Sequence, residues 1–343
     1  DAAMTGDFAK SGVSIWRGMV LAVDEINESG GLLGRKLQIL VKDHRANPAR
    51  GVDNIESFAK QDRLLAVMGG MHTPVILNEL SAIHENRIIS LVPWAAGTPI
   101  VDNSYDPNYV FRLSVRDQYA GPYLVNKLSE AGYENPALLL ENTGWGRSNK
   151  EALTKALEER KLSPALISFF NWSKNSFRAE LNRALKKEAD SIIFVGNAPE
   201  GATLVQSMAS QPESERLPIL SHWGITGGEF FEKSQSALSK VTLRVLQTRS
   251  FLDPANPEYA QFEREQYCLK FDCPASDAAS IVAPAGTAHA HDLVHLLRQA
   301  VRDAGTIDRP QIRESLTKLD SWSGVVGDYD RPFTRTDREA LTI

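Results

Sequence analysis

The stretch Leu64–Thr98, LLAVMGGMHTPVILNELSAIHENRIISLVPWAAGT, decides how the rest of the chain is read. Its apolar run Leu64–Met68 has the length of a buried strand, and Gly69-Gly70 breaks it. Thr73 stands where a helix N-cap is expected, with Pro74 at the first helical position, where its missing N–H costs nothing. Ile76, Leu80 and Ile83 recur at helical spacing and give that helix one buried face. Ile88–Val92 is the next strand, and it runs into Pro93-Trp94-Ala95-Ala96-Gly97-Thr98. Both turns follow the carboxyl ends of strands expected to be parallel, the edge at which open α/β sheets bind ligands. The N–H groups and positive dipole end of the Thr73 helix favour an anion, most simply a carboxylate. A lone Thr-Pro more commonly does no more than cap a helix. The second turn brings a hydroxyl, small residues and an aromatic to the same edge, and this gives the functional reading its weight.

The same alternation extends to both sides. Asp1–Met4 belongs to a first strand or just follows it. Ile15, Met19, Ala22, Val23 and Ile26 mark a helix that ends at Gly30-Gly31, and Leu37, Ile39 and Val41 alternate as a strand. Asn47-Pro48 opens a further helix, and Tyr109–Leu113 is a strand. From Gln118 the series begins again, with strands at Ala137–Glu141, Ala165–Phe170, Ser191–Val195 and Pro218–Leu220 separated by helices. Val241–Phe251 is strand-like and returns the chain to the first half. Pro257–Phe271 is helical, with Tyr259, Phe262 and Tyr267 as apolar points, and Ser276–Ala304 is helical with interruptions at Pro284 and Gly286. Trp322–Tyr329 is again strand-like. Strands alternating with helices of this length make βαβ units with parallel sheets. The fold class is α/β: two Rossmann-like, doubly wound lobes with a ligand cleft between their strand ends.

A chain of 343 residues exceeds what one core usually holds. A net charge of −5 gives no electrostatic case for nucleic acid, and no apolar run approaches a membrane span. The abrupt start at Asp1 reads as a processed or trimmed terminus. The two cysteines, Cys268 and Cys273, are too few to hold zinc by thiolates alone. In a continuous helix their α-carbons would stand roughly 8 Å apart, too far for a disulfide. Asp272 and Pro274 place the helix end near Phe271, and the reading then prefers a local disulfide to two free thiols.

No catalytic set emerges. The chain has no G-x-S-x-G elbow, no H-E-x-x-H, no P-loop and no G-x-G-x-x-G after a strand, so the reading is a non-enzyme without cofactor. His291 and His295 lie one helical turn apart in AHAHDLVHLL, a spacing that can hold a metal. His289 completes the cluster, but without a third well-placed ligand histidines on a helix are more often structural or solvated, and the reading assigns no metal. Asp43-His44-Arg45 is polar packing at a strand end, because neighbouring side chains of a strand face opposite ways.

With Gly30-Gly31-Leu32-Leu33-Gly34-Arg35-Lys36-Leu37 followed by Asp43, the chain resembles the extracytoplasmic solute-binding receptors of ABC transporters, of the branched-chain amino acid type. The resemblance covers essentially the whole chain and includes Val67–Thr73, Pro93–Pro99, Phe111-Arg112 with Asp117, Asn142–Gly146 and Pro199-Glu200. It implies a first lobe of residues 1–117 and 250–322, a second of 118–249 and 323–343, and three hinge crossovers. It implies that Thr73, beside His72, and the Trp94-Ala95-Ala96-Gly97-Thr98 turn hold an α-carboxylate and α-ammonium. Asp117 holds the ammonium in some relatives, Trp145 covers the ligand, and the Asn197-Ala198 turn faces the cleft. It also implies a monomer outside the cytoplasm that delivers its ligand to an ABC permease.

Three features depart from the family pattern. Trp94 is an extra residue in its turn, Trp145 replaces a tyrosine, and no carboxylate stands near Trp223. Asp117 or Glu200 then supplies the missing charge partner, or the tryptophans with His72 and His222 line a site for a flat aromatic or cationic ligand. The reading is a receptor for an amino acid or another small carboxylate, aromatic ones included. The alternative is the ligand-sensing ectodomain of a signalling protein.

Overall fold

The computed structural model describes residues 1–249, 257–274, 280–281 and 283–341, apart from the side chains at 259, 260, 262 and 263. The apolar points Tyr259 and Phe262, the end of the strand-like run at 250–251 and the helical positions 276–279 lie outside the described residues.

Along the chain, α1 (Ala9–Glu28) and α2 (Pro48–Ala59) precede β1 (Ala66–Met68), α3 (Thr73–Glu85), β2 (Ile89–Val92) and β3 (Val110–Arg112). The second series is α4 (Asp117–Glu130), β4 (Pro136–Glu141), α5 (Gly144–Glu158), β5 (Leu166–Phe170) and α6 (Arg178–Lys186). It continues through β6 (Ser191–Val195), α7 (Ala198–Ala209), β7 (Ile219–Ser221), α8 (Phe230–Leu238) and β8 (Leu243–Val245). The remaining elements are α9 (Pro257–Phe271), α10 (Pro284–Ala304), α11 (Arg309–Leu316) and the short strands β9 (Trp322–Ser323) and β10 (Asp328–Tyr329). Two compact units result: Asp1–Val115 with Thr248–Thr342, and Arg116–Gln247.

The first unit carries a parallel sheet in the order β1-β2-β3. Asn47 starts α2 by accepting from the N–H groups of Ala49 and Arg50 at 3.0 and 3.3 Å. Helix α1 lies so close to α10 that a Cβ on Gly18 would stand 2.0 Å from the Thr287 carbonyl oxygen. The second unit carries a five-stranded parallel sheet in the order β5-β4-β6-β7-β8. Its core has two parts. Phe170, Phe177 and Phe194 pack with α6 and α7 in one, and Leu138, Leu140, Trp145 and Leu153 pack with α4 and α5 in the other. Parallel strands buried on both faces explain why Leu138–Leu140 and Ile192–Val195 read as unbroken apolar runs.

Two expectations need correction. Leu37–Val41 forms no strand among the described residues: the isolated bridge Ala2–Asp43 and the Asp43 carboxylate, which accepts from Met4 N and Thr5 Oγ1, tie this region to the chain start, and Leu40 and Val41 are half exposed at 47% and 51%. Every residue from Leu37 to Val41 lines a cavity of about 990 Å³, which Ile15, Met19, Phe58 and Val67 also line, and Leu37 and Ile39 are less exposed than their neighbours. The second correction concerns residues 323–341, expected in the second lobe. They pack in the first unit, because the buried Asp292 carboxylate accepts from Val325 N, Val326 N and Tyr329 Oη at 3.0, 3.0 and 2.7 Å. The cysteines form a disulfide, Cys268–Cys273, with α-carbons 4.4 Å apart across the end of α9.

The final segment is anchored on β3. Arg112 N donates to Arg338 O at 2.8 Å, and Ala340 N donates to Arg112 O at 2.9 Å. The guanidinium of Arg112 is fully buried and paired with the equally buried Glu339 carboxylate, its Nε at 3.1 Å. Removing one member of such a pair leaves an uncompensated buried charge, which costs about 3–5 kcal/mol. Glu339→Gln is therefore expected to destabilise the first unit by roughly that amount in urea unfolding, and a loss below ~1 kcal/mol would contradict this account of the anchor.

Candidate functional site

In the first unit the two turns of the opening stretch are joined. His72, not Thr73, is the N-cap of α3, and its carbonyl takes the first helical bonds from Val75 N and Ile76 N at 3.1 and 3.2 Å. Thr73 is the first helical residue, and its Oγ1 accepts from Gly97 N at 3.2 Å. The sequence reading misplaced the cap because it assumed that the hydroxyl serves its own helix, whereas it reaches across to the next turn. The approach is close: a Cβ on Gly97 would lie 2.3 Å from Thr73 Cγ2. Arg112 fixes the other side of that turn, donating from its Nη1 to the carbonyls of Ala95 and Gly97 at 3.2 and 2.9 Å. Thr98 follows as the first residue of a short 3-10 turn. Ala95 and Ala96 are buried, as is Trp94, whose ring packs on Gly286 of α10. The Trp94 indole N–H has no hydrogen-bond partner among the described residues.

The second unit gathers its residues around one carboxylate. Asp117 opens α4 and is fully buried. Its Oδ1 accepts from Trp145 Nε1 at 3.1 Å and lies 3.4 Å from His222 Nε2. Its Oδ2 has no partner among the described residues. Trp145 stands in the first turn of α5, where the Thr143 side chain caps the helix, and its ring meets His222 edge to face at 5.0 Å. The His222 and Trp223 rings lie 3.7 Å apart. Asn197, the N-cap of α7, donates to Glu141 Oε2 at 2.7 Å, and Ala198 begins that helix. Glu200 is buried, with Oε1 accepting from Ser173 N at 2.8 Å.

The structure thus brings Thr73 together with the Trp94–Thr98 turn, and Asp117 together with Trp145, His222 and Trp223. Asn197 adjoins the latter group, since a Cβ on Gly224 would lie 2.5 Å from Trp145 Cη2 and 3.2 Å from Asn197 Oδ1, and its amide also rests on the Glu141 carboxylate. The predicted indoles are buried, with Trp94 2%, Trp145 7% and Trp223 1% exposed, and Trp145 also belongs to the apolar core. None of the predicted residues lines the 990 Å³ cavity under residues 37–41. Sequence reading missed Arg112, Glu141 and Glu339. A charge inside VFRLS, or closing the run ALLLE, was a visible signal for the first two, because a buried charge needs a partner.

Burial also sets the protonation of these groups. Burial, followed by the neighbouring His44, holds His72 down at about 3, so the ring is neutral. Burial pushes Glu141 up to about 7, against hydrogen bonds from Trp172 and Thr143 that pull it down, and the Glu200 charge adds to the rise.

A family model described as periplasmic binding protein matches residues 2–341. The chain is 23% identical to a Leu/Ile/Val-binding protein homolog 1 of Brucella abortus over 333 residues, 95% of this chain and 84% of the relative. Its fold matches the LivJ substrate-binding protein of Streptococcus pneumoniae, solved with isoleucine, at a TM-score of 0.84 and 20% identity, over 100% of this chain and 94% of that one. It also matches a Rhodopseudomonas palustris solute-binding protein solved with 4-hydroxybenzoate, at a TM-score of 0.85 and 16% identity, over 99% and 89% of the two chains. These folds are type I periplasmic binding protein folds, built from two α/β lobes with parallel sheets.

The raised Glu141 has a thermodynamic signature. Between its ordinary value of 4.5 and about 7 the folded protein holds a proton that the unfolded chain has lost, so this group's contribution to stability falls as pH rises through that window. Glu141→Gln removes the effect. The variant should gain on the wild type by on the order of 2–3 kcal/mol between about pH 5 and about pH 8 in urea unfolding, and a pH-independent difference would contradict the buried, protonated carboxyl.

Proposed function

Because the chain belongs to the periplasmic binding protein family, we propose that it is the solute receptor of an ABC importer and takes a small carboxylate with a flat, apolar body. The family is one of solute-binding proteins and not of enzymes, it works outside the cytoplasm, and no helix among the described residues is long and apolar enough to cross a membrane. One observation carries the reading of the ligand: two buried groups, the Trp94 indole N–H and Asp117 Oδ2, have no partner among the described residues. A buried donor and a buried acceptor left open cost about 1–3 kcal/mol each, and a ligand with a matching acceptor and donor recovers that cost.

The carboxylate of the solute is held by the Thr73 hydroxyl, the N-terminal end of α3 and the Trp94 N–H, where the helix dipole favours negative charge. A flat body suits the indole faces, and the open Asp117 Oδ2 suits a hydroxyl donor. A hydroxylated aromatic acid has this arrangement of groups. Asp117 is the one carboxylate placed in the Trp145–His222–Trp223 cluster among the described residues, and this supports it over an α-amino acid, whose ammonium needs more than one acceptor in a dry site. Asp117 alone favours the amino acid as the second reading. The loaded receptor then meets a membrane permease.

Titration calorimetry with 4-hydroxybenzoate and with leucine tests both the class of ligand and the residues. The aromatic acid is expected to bind, Thr73→Ala to weaken it about tenfold and Trp145→Ala by about a hundredfold, the loss expected for a buried aromatic anchor. Wild-type affinity in both variants, each folded by circular dichroism, would remove these residues from the site. Tighter binding of leucine than of 4-hydroxybenzoate would decide for the amino acid.

A further inference from the structure

Among the described residues of the first unit, three side chains from two helices converge at a point that the proposed solute site does not use. His291 and His295 project from α10 one turn apart, and Glu25 reaches them from α1. Glu25 Oε1 lies 3.3 Å from His291 Nε2, and Glu25 Oε2 lies 2.9 Å from His295 Nε2. The candidate ligand atoms all fall within 4.8 Å of one another. A tetrahedral zinc ion with bonds of about 2.0–2.1 Å requires ligand atoms roughly 3.3 Å apart, a spacing that small side-chain shifts of this cluster reach.

The surroundings of His291 carry the argument further. The ring is fully buried between two carboxylates, with Nε2 facing Glu25 and Nδ1 3.3 Å from Asp292 Oδ1. A neutral imidazole has only one N–H and would turn a lone pair toward one carboxylate, a conflict that an imidazolium or a cation at one nitrogen removes. A metal ion at Nε2 resolves that conflict. It accepts the Nε2 lone pair, lets Nδ1–H donate to Asp292, and neutralises Glu25. A carboxylate behind a metal-bound histidine is the usual supporting arrangement in zinc sites, where it fixes the tautomer and the ring. Asp292 is itself held rigidly, by Val325 N, Val326 N and Tyr329 Oη. The second imidazole is braced too: the His295 ring lies nearly parallel to that of Trp322, at 6.0 Å and 18°. The Glu25 side chain is 30% exposed, which gives an ion a route in and leaves room for water as a fourth ligand.

We propose that Glu25, His291 and His295 form a binding site for a divalent transition-metal ion, zinc above all, that clamps α1 to α10. Three N and O donors with an open fourth position suit zinc better than calcium or magnesium, which take oxygen ligands. The sequence reading set a metal aside because it found no third well-placed ligand. The third comes from a helix 266 residues earlier in the chain.

The test uses untagged full chain, stripped with chelator and titrated with zinc chloride by calorimetry. One equivalent should bind, the melting temperature should rise, and cobalt substituted at the site should give visible absorption of tetrahedral character. His295→Gln and Glu25→Gln should each weaken zinc binding by at least ~10-fold and abolish the cobalt band. Glu25 is half-buried at the surface, so its variant remains informative if His295→Gln lowers stability. One equivalent of zinc bound with unchanged affinity in both variants, or no zinc bound by the wild type, would overturn the assignment.

Discussion

The first unit is arranged around one charge that has no water to solvate it. Arg112 sits inside a parallel sheet with none of its side chain exposed, so all its donors need acceptors from the protein. Glu339 supplies a carboxylate, and the carbonyls of Ala95 and Gly97 supply the rest. The turn after β2 is thereby held from behind, while the Thr73 hydroxyl holds it through Gly97 N. The position of the proposed carboxylate site follows from this scaffold more than from any property of Thr73 alone.

The second unit uses the opposite sign. Asp117 is as buried as Arg112, but it is met by an indole N–H and an imidazole, neither carrying a full formal charge when neutral. One of its oxygens is left over, and so is the indole N–H of Trp94 in the first unit. Buried polar groups in folded proteins are seldom left open, and when they are, a reason is expected. On the function proposed above, the solute is that reason.

Much of this architecture was legible in the sequence, because parallel strands announce themselves as apolar runs between helix-spaced segments. Ile88–Val92 and Ser191–Val195 were placed within a residue of the observed strands. Leu37–Val41 failed for a physical reason: the segment lines a cavity and pairs with no neighbouring strand among the described residues. The site was legible as turns but not as contacts. The link from Thr73 to Gly97 spans 24 residues and that from Arg112 to Glu339 spans 227, distances over which no local pattern speaks. Trp145 lies in the first turn of a helix, since Thr143 caps α5 ahead of Gly144 and Gly146.

The Arg112–Glu339 anchor also bears on how the chain is made. The second unit is a single continuous insertion, Arg116–Gln247, whereas the first is completed only by residues that follow it. Domains fold as units while the ribosome adds residues one by one, so the inserted unit emerges whole while its host still lacks α10, the hairpin and the counterion of Arg112. Until residue 339 leaves the ribosome, β3 carries a guanidinium with no carboxylate to receive it. Biosynthesis therefore runs middle first, and the half that is translated earliest is the last to become native.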